Sequence, residues 1–438
     1  MSCRAACGRR QCHLLLLVFV VICCCCRPAA AGTANPWSSV RSFLDGAGID
    51  GSGFFDLRAG RRLVDPVHEK HTSLAEARLQ VELNADFGWG LVKFKNDFLV
   101  DPVVDDYLAE VRELSLIFSP LDFVDVKLGR QVLTWGTGDL LFVNDLFPKD
   151  WKSFFCGRDT EYLKAPADAV KVSVFLDLVN LDLVYLPLFN GSDYIDGNRL
   201  SYWNPLLGRT AGRDHVFHDE DRDAFFDDDE WAVRLYRTIN GIEAAFYAYD
   251  GYWKTPEGFN PRSGRLIYPR LRVYGASVRS DLLGGLGNVE AGYYDSLDDR
   301  QGDDPYVRNS EWRFLAGFEH ELGRDFTGGL QYYLEYMDDY ADYQRTLPAG
   351  MAGKDRSHSI FTLRLTKLLL NQNLTLSCFA YYSPTDDDCY LRPKASYKIN
   401  DYWLIEGGIN LFLGEDDDTF FGQLEDNSNA FLAMRVSF

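Results

Sequence analysis

The chain has 438 residues, and its 65 Asp and Glu outnumber its 45 Lys and Arg, which gives a formal net charge of −20. Such acidity excludes nucleic acid as a partner, because phosphate binding needs a basic face. Most cysteines precede residue 27, and only Cys156, Cys378 and Cys389 follow. This odd number predicts no disulfide scaffold, and the lack of a Cys-x-x-Cys-His motif excludes attached c-type haem. We expect no cofactor.

The first 31 residues predict a cleaved export signal. Three arginines lie among the first ten residues, residues 14–26 are continuously apolar, and residues 29–31 are alanines suited to signal peptidase. The apolar run is too short to cross a bilayer comfortably as a helix. A lipoprotein signal is the alternative, but Ile22, before the cysteine cluster, is larger than lipoprotein processing prefers. Residues 32–52 are expected to form a short periplasmic segment.

Strand-like alternation dominates the rest of the chain. Apolar and polar side chains alternate strictly over residues 77–87, and a strand places them on two faces whereas a helix would mix them. Residues 311–319, 330–336 and 391–399 repeat the pattern. Counting such segments predicts about eighteen strands (16–18) over residues 53–438.

The connections between these strands are expected to alternate strictly between short and long. Asn240-Gly241 is the clearest short one, because a type I′ turn needs positive φ at both central residues. No run approaches the roughly 18 apolar residues of a transmembrane helix, and in lipid only a closed barrel otherwise pairs every backbone group. We therefore predict an all-β fold, a transmembrane antiparallel up-and-down β-barrel with short periplasmic turns and long extracellular loops. The long connections include 134–167, 189–229, 251–268, 297–309, 338–355 and 414–428.

The chain end and the aromatic residues predict the outer membrane of a Gram-negative bacterium as the location. The last strand ends in the aromatic Phe438, as in strands recognised by the barrel-assembly machinery. Aromatic residues make up 14% of the chain, and many lie at strand ends, where interface girdles lie. A soluble β-sandwich is the alternative, but it would not sort its loops by length. We expect contacts with outer-membrane lipid and lipopolysaccharide; a homo-oligomer and a periplasmic partner are both compatible with the sequence.

Residues 128–139 (LGRQVLTWGTGD) resemble a motif of porin-like barrels of the alginate-export type and of related uncharacterised ones. Those barrels carry Gly-Arg-Gln, then Trp/Tyr-Gly and a nearby acid, where a strand enters an extracellular loop. The resemblance implies a porin-like barrel with Arg130 and Asp139 near the pore mouth, and it implies no particular substrate. The alternative is that Gly129 and Gly136 allow a bulge or close packing and that Arg130 only pairs with a carboxylate.

The expected function is a porin-like channel for passive diffusion of small polar or anionic solutes. Charged residues at inward positions carry this expectation, since Arg or Lys facing lipid at the midplane would cost roughly 2–4 kcal/mol. Basic residues outnumber acids in the set, which favours anionic or polyhydroxylated solutes; alternatively, the charges only neutralise one another. The predicted lining and constriction residues are Arg78, Glu82, Lys127, Arg130, Asp139, Arg234, Arg272, Glu290, Arg313, Glu335, Arg364, Arg392, Lys394, Lys398 and Arg435.

Two long connections carry hypotheses of their own. Loop 134–167 combines aromatic residues with charges of both signs, and we expect it to fold inward and narrow the lumen; an outward, solvated loop is the alternative. Loop 189–229 holds His215 and His218 beside many carboxylates, a pattern compatible with a divalent metal but more typical of a solvated acidic surface. We therefore predict no metal site.

An enzyme is not expected. Gly-x-Ser-x-Gly is absent, and strand geometry points His358 and Ser359 to opposite faces. The alternative function is the barrel sheath or scaffold of a multi-protein envelope complex, such as an electron conduit or an export complex. Cys378 and Cys389 are predicted to stay unpaired, because residue 384 should face Cys389 and leave Cys378 about five rungs away, at ~3.3 Å per rung.

Overall fold

The computed structural model describes residues 44, 46–349 and 353–438. The predicted signal at residues 1–31 lies outside the described residues, as does most of the segment 32–52. Eighteen strands form one antiparallel sheet in which each strand is bonded to its neighbours in chain order. The last strand pairs with the first over nine residues, so the sheet closes on itself. The predicted barrel and its number of strands are confirmed.

The barrel starts at Ile49, four residues before its predicted start. Two short hairpins, β8–β9 and β12–β13 in the numbering below, lie in loops outside the barrel sheet. In chain order the strands are β1 (Ile49–Arg62), β2 (Thr72–Asp86), β3 (Leu91–Asp101), β4 (Asp106–Leu121), β5 (Val124–Val132), β6 (Pro166–Phe175), β7 (Asn180–Leu186), β8 (Tyr202–Asn204), β9 (Arg209–Ala211), β10 (Glu230–Ile239), β11 (Ile242–Tyr252), β12 (Gly258–Asn260), β13 (Arg265–Ile267), β14 (Arg270–Leu282), β15 (Gly285–Ser296), β16 (Glu311–Gly323), β17 (Phe326–Met337), β18 (Ser357–Leu369), β19 (Leu374–Ser383), β20 (Asp388–Lys398), β21 (Trp403–Leu413) and β22 (Asn429–Ser437).

From residue 47 onward, the described residues form helices only as short pieces of loops. They are α1 (Trp151–Cys156), α2 (Tyr340–Thr346) and two 3-10 helices, Thr160–Leu163 and Gly422–Asn427. None of the helices in the described ranges is long and apolar enough to cross a membrane.

The two ends of the barrel differ in the length of their connections. At one end, which we call the turn end, every connection has two to four residues. The opposite end, the loop end, carries the long connections, but residues 102–105 and 384–387 there are also tight turns. Strict alternation of short and long is therefore wrong at these two places. Both turns contain an aspartate with positive φ, Asp105 at 59° and Asp387 at 49°, a conformation that Asp tolerates better than most residues.

The predicted Asn240-Gly241 turn is confirmed. Asn240 and Gly241 have φ values of 51° and 82°, and Ile239 pairs with Ile242 across the turn. Positive φ at both central positions matches the twist of the flanking strands. The register of β10 and β11, and hence which of their side chains face inward, follows from this turn.

Alternation divides the barrel strands into an outward and an inward face. On β16, Trp312 and Phe314 are each 41% exposed, whereas Leu315 is 1% exposed. On β2, Arg78 and Gln80 are buried inside the barrel. The predicted faces of these segments are confirmed, and apolar side chains cover the outer wall.

Apolar side chains fill part of the interior near the loop end, a feature that the predicted charged lining did not include. Inward positions there carry Tyr, Phe and Leu, because loop residues pack against them from inside the barrel. We call the two resulting clusters the loop-side layer. The first contains Leu141, Val143, Phe154, Phe155, Leu163, Leu200, Leu315, Tyr333, Phe379, Tyr381, Tyr390, Phe412, Phe421 and Leu424. The second contains Leu133, Phe147, Ala167, Ala169, Val184, Leu186, Ala232, Tyr249, Trp253, Leu271, Val273 and Tyr294.

Candidate functional site

The connection between β5 and β6, residues 133–165, folds into the barrel, and we call it the inner loop. It bonds to inward-facing residues spread around most of the circumference, so it crosses the lumen. The inward fold expected for this loop is observed. Its wall partners include Arg58 on β1, Glu76 on β2, Glu290 on β15, Arg364 on β18 and Arg392 on β20.

The second half of the inner loop, residues 150–164, is held by apolar packing, and we call it the fixed limb. Asp150 caps the start of α1 by accepting a hydrogen bond from a backbone N–H in its first turn. The helix presents Phe154 and Phe155, which are 0% and 2% exposed. Their ring centroids lie 5.9 and 5.6 Å from that of Tyr390 in edge-on geometry.

Buried ion pairs tie the fixed limb to the wall. Arg158 donates to Glu76 at 2.7 Å and to Asp101 at 3.2 Å, and these carboxylates are only 2% and 3% exposed. Arg199, from the loop 187–229, pairs with the same two acids. Burial lowers the pKa of Arg158, but the charge of Glu76, its hydrogen bond to Arg158 and the charges of other neighbours such as Asp150 together hold that pKa well above the ordinary value.

The fixed limb also reaches the seam between β22 and β1. Arg58 on β1 donates to the carbonyl oxygen of Gly157 at 3.1 Å. Arg435 on β22 pairs with Asp56 at 2.9 Å and with Asp159 of the inner loop at 3.3 Å. The same charges therefore join the two edges of the sheet and seat the inner loop.

The first half of the inner loop, residues 136–145, is held in another way, and we call it the neck limb. Thr137 and Gly138 donate backbone N–H groups to Glu290, the latter at 2.8 Å. Asn144 donates to the other carboxylate oxygen of Glu290 at 2.8 Å. Glu290 is 1% exposed and has no cation within 4.0 Å in the part of the chain that the structure describes.

Asp139 at the tip of the neck limb makes a more accessible contact. Its carboxylate accepts two hydrogen bonds from Arg364, one of them at 2.8 Å. Gln331 on β17 accepts from the backbone N–H of Asp139 and donates to its carbonyl oxygen, both at 2.8 Å. The Arg364 and Asp139 side chains are 35% and 44% exposed, so this pair borders the solvent-accessible interior.

Inward faces nearer the turn end line a space that we call the turn-side chamber. Most of its charges are paired across neighbouring strands at distances of 2.7–3.7 Å. Three inward basic residues, Lys93, Arg279 and Lys398, make no ion pair within 4.0 Å to any described residue, and unpaired carboxylates such as Asp125 and Glu319 also line the chamber. The pairs are Glu82–Lys95, Glu113–Lys127, Asp182–Lys171, Glu243–Arg234 and Glu406–Lys394.

The predicted lining residues fall into three groups. Those that line accessible interior are Glu82, Lys127, Asp139, Arg234, Arg364, Lys394 and Lys398. Those that loops largely cover are Arg78, Glu290, Arg313, Glu335, Arg392 and Arg435. The third group, Arg130 and Arg272, faces outward.

Arg272 lies on the outer wall, contrary to its predicted position in the lumen. Leu271 and Val273, on either side of it, are each 1% exposed inside the barrel, so the side chain of Arg272 points the other way. It donates to Asp250 on the neighbouring strand at 2.7 Å. A charge near a strand end can face outward when a partner in register neutralises it, and the sequence pattern did not reveal this partner.

The side chain of Arg130 also points outward, and again a carboxylate in register neutralises its charge. Gln131 next to it is 1% exposed and faces inward, whereas Arg130 pairs with Asp168 on β6 at 3.0 Å and donates to the carbonyl oxygen of Val111 at 2.7 Å. Its predicted place at the pore mouth is therefore corrected. The alternative interpretation of an arginine paired with a carboxylate describes the structure.

The segment 128–139 forms the entrance to the inner loop. Gly129 has a φ of 107°, and a Cβ at this position would overlap the carbonyl oxygen of Leu114, so only glycine fits. Trp135 packs edge-on against Phe147 with ring centroids 5.1 Å apart. Residues 137–139 of this segment make the first contacts of the neck limb with the barrel wall.

Sequence reasoning missed a cluster around His358. Its Nε2 lies 2.9 Å from Asp386 and 3.2 Å from Ser383, residues that the β18–β19 pairing and the following turn bring together. A Ser-His-Asp relay needs the serine and the acid on different ring nitrogens, whereas here both contact the same one. The adjacent Ser359 has the opposite strand parity, as expected.

The remaining candidates involve histidine and cysteine. His215 Nδ1 contacts Tyr202 and Asn204 at 3.3 and 3.1 Å, and among the described residues no group of three or more His, Cys, Asp or Glu is arranged to hold a metal ion. Cys378 faces Pro393 and Cys389 faces Tyr382, and both cysteines are free, as predicted. The predicted register, with residue 384 opposite Cys389, is two residues off.

Comparisons with known proteins identify the fold. No family profile and no curated protein sequence matches the chain. The chain is similar to Acinetobacter baumannii OccAB3, with 10% identity and a TM-score of 0.55 over 90% of this chain and 99% of that one. It is similar to OccAB1 of the same organism at 10% identity and 0.54, covering 89% and 96%, and to Pseudomonas aeruginosa OccD3 (OpdP) at 10% and 0.51, covering 89% and 91%. This similarity shows a common barrel fold, and the alginate-export-type resemblance stays a prediction.

Proposed function

We propose that the chain is an outer-membrane channel of a Gram-negative bacterium through which small polar and anionic solutes diffuse passively. The observation that carries this proposal is the apolar outer wall of a closed barrel. Phe246, Leu432 and Leu330 on this wall are 66%, 62% and 55% exposed. Soluble monomers rarely expose apolar patches above a few hundred Å², whereas lipid solvates such a wall and closure of the sheet pairs its two edge strands.

The turn-side chamber supports a path for polar solutes. Its lining pairs are partly accessible; Glu82 and Lys95, for example, are 31% and 30% exposed. The inner loop crosses the lumen between this chamber and the loop end, so it determines the upper size limit of the solute. The proposed preference for anions rests on the unpaired cations Lys93, Arg279 and Lys398, which attract anions and repel cations. The unpaired carboxylates Asp125 and Glu319 on the same lining act in the opposite direction.

Permeation of liposomes by sugars and dicarboxylates of graded size tests the proposal. We expect swelling with small solutes and a cut-off in size, and we expect deletion of residues 140–160 to raise the cut-off and the single-channel conductance. A barrel that still shifts its SDS gel mobility on boiling serves as the control for folding of the deletion variant. If intact wild-type and deletion proteins both leave the vesicles impermeable, the channel is refuted in favour of the sheath or scaffold alternative.

Reversal potentials under a salt gradient test the anion preference separately. We expect the sign of an anion-selective pore. Clear cation selectivity would contradict the role given to the unpaired basic residues, while leaving the channel itself intact.

A further inference from the structure

The two limbs of the inner loop are anchored by different chemistry. The fixed limb is held by buried ion pairs and by an apolar cluster. The neck limb shares that apolar cluster through Leu141 and Val143 and is also bonded to Arg364 and Gln331. In addition, its residues 137–144 converge on one buried carboxylate, that of Glu290. We propose that Glu290 is a positioning residue that holds the neck limb across the lumen and thereby limits the conductance of the channel; this inference rests on the proposed function.

All four hydrogen bonds that Glu290 accepts come from the neck limb. One carboxylate oxygen accepts from the backbone N–H groups of Thr137 and Gly138 and from the Thr137 hydroxyl, the last two at 2.8 Å. The other oxygen accepts from Asn144 at 2.8 Å. A buried carboxylate without a paired cation is costly unless donors compensate its charge, and here successive backbone N–H groups supply that compensation.

The wall next to Glu290 is shaped to receive the same limb. Gly275 on β14 and Gly292 on β15 are paired in register. A Cβ at position 275 would overlap the side-chain oxygen of Asn144, and one at position 292 would lie 3.1 Å from Val143. Val143 and Asn144 are 1% and 0% exposed, so these two residues fill a notch made by missing side chains. This fit is independent of the carboxylate.

Loss of the carboxylate should therefore loosen the neck limb around residues 137–144 and leave the fixed limb in place. Its donors would lose their acceptor, and water in the turn-side chamber offers replacement partners. The contacts of the fixed limb described above do not involve Glu290, so α1 and its buried Cys156 should stay in place. The lumen would widen without loss of the barrel.

Single-channel conductance of Glu290 variants provides the first test. We expect Glu290→Ala to raise conductance at least about twofold, because a segment that narrows the pore is displaced. The conductance of Glu290→Gln should lie between those of wild type and Glu290→Ala. Its amide keeps one acceptor oxygen, but its NH₂ group faces N–H groups of the neck limb that also need an acceptor. The matched control is Glu230→Gln, a buried inward carboxylate on β10 that bonds to Lys254 and Tyr249 rather than to the inner loop.

Gly275→Ala is expected to displace the neck limb by a second route that leaves Glu290 unchanged. Its added methyl group displaces Asn144 from the notch, so conductance should rise here too. If Glu290→Ala and Gly275→Ala both conduct like wild type, the positioning role is refuted.

Thiol labelling separates this inference from the proposed function. Val143→Cys, in a background with Cys378→Ala and Cys389→Ala, puts a buried thiol on the neck limb, and native Cys156 reports on the fixed limb. With Glu290→Ala we expect a small polar thiol reagent to label the introduced thiol and not Cys156. Such labelling in a protein that never conducts would refute the channel and uphold the positioning role. If the introduced thiol is equally protected from the reagent with and without Glu290→Ala, the positioning role is refuted even if the channel conducts.

Discussion

The buried interior near the loop end and the turn-side chamber lie in the same barrel, yet their charged residues differ in how far they are removed from water. Glu76 and Asp101 near the loop end are 2% and 3% exposed beneath Arg158, whereas Glu82 and Lys95 in the chamber are about a third exposed. Charges removed from water depend on their partners, while solvated charges do not. We infer that the buried charges near the loop end stabilise the inner loop, whereas the accessible charges near the turn end contact the solute.

The largest expected effect comes from breaking a buried ion pair near the loop end. Arg158→Ala should lower the free energy of unfolding by about 3–5 kcal/mol, because two carboxylates stay buried with less compensation. Lys95→Ala in the chamber should cost less than about 1 kcal/mol, because water solvates Glu82. Urea unfolding in detergent micelles, followed by the gel-mobility shift, measures both. Equal losses would contradict the division into two regions.

A smaller effect is expected from the apolar cluster. Phe155→Leu should cost about 1–1.5 kcal/mol, since it keeps an apolar side chain but loses edge-on ring contacts. The matched change on the outer wall, Phe246→Leu, should cost less, because Phe246 is 66% exposed and lipid or detergent can fill the space. The same unfolding assay compares the two variants. A greater loss of unfolding free energy for Phe246→Leu would contradict the expectation that interior packing contributes more to stability than the outer wall.

In the chamber, charge reversal should change selectivity with little effect on stability. Lys93→Glu together with Lys398→Glu should shift the reversal potential toward cation selectivity, while unfolding changes by about 0.5 kcal/mol or less. Reversal potentials under a salt gradient provide the measurement. Arg272→Glu on the outer wall is the control, and an equal shift from it would show that the effect does not arise in the lumen.

The smallest effect concerns pH at the junction of the inner loop with the loop 187–229. Burial and the neighbouring Asp150 raise the pKa of Asp193 to about 6, against the opposing charge of Lys152. A raised acid pKa favours the folded junction at pH below the ordinary Asp range, and this gain is lost as pH rises through about 6. The side chain is half exposed, so water screens the effect. Wild type should therefore lose slightly more stability than Asp193→Asn between pH 5 and pH 7 in urea titrations, and identical pH profiles would contradict the assignment.

Most of the barrel followed from local pattern. Alternation located the strands, and the Asn240-Gly241 turn predicted its own register, because positive φ and a period of two are properties of a few adjacent residues. The site was less predictable. Arg272 carries the same charge as inward arginines, and only its partner Asp250 on the next strand explains why it faces outward.

Sequence alone determined a closed eighteen-strand barrel with tight turns at one end, since side-chain periodicity and turn conformation depend on residues that are close together in the chain. Tertiary structure alone decided which inward residues meet water. Glu290 and Thr137 are far apart in the chain, and their contact depends on how a long loop crosses the barrel. Burial by such a loop is a long-range property, so the same inward parity gave a solvated Glu82 near the turn end and a covered Glu290 beneath the inner loop.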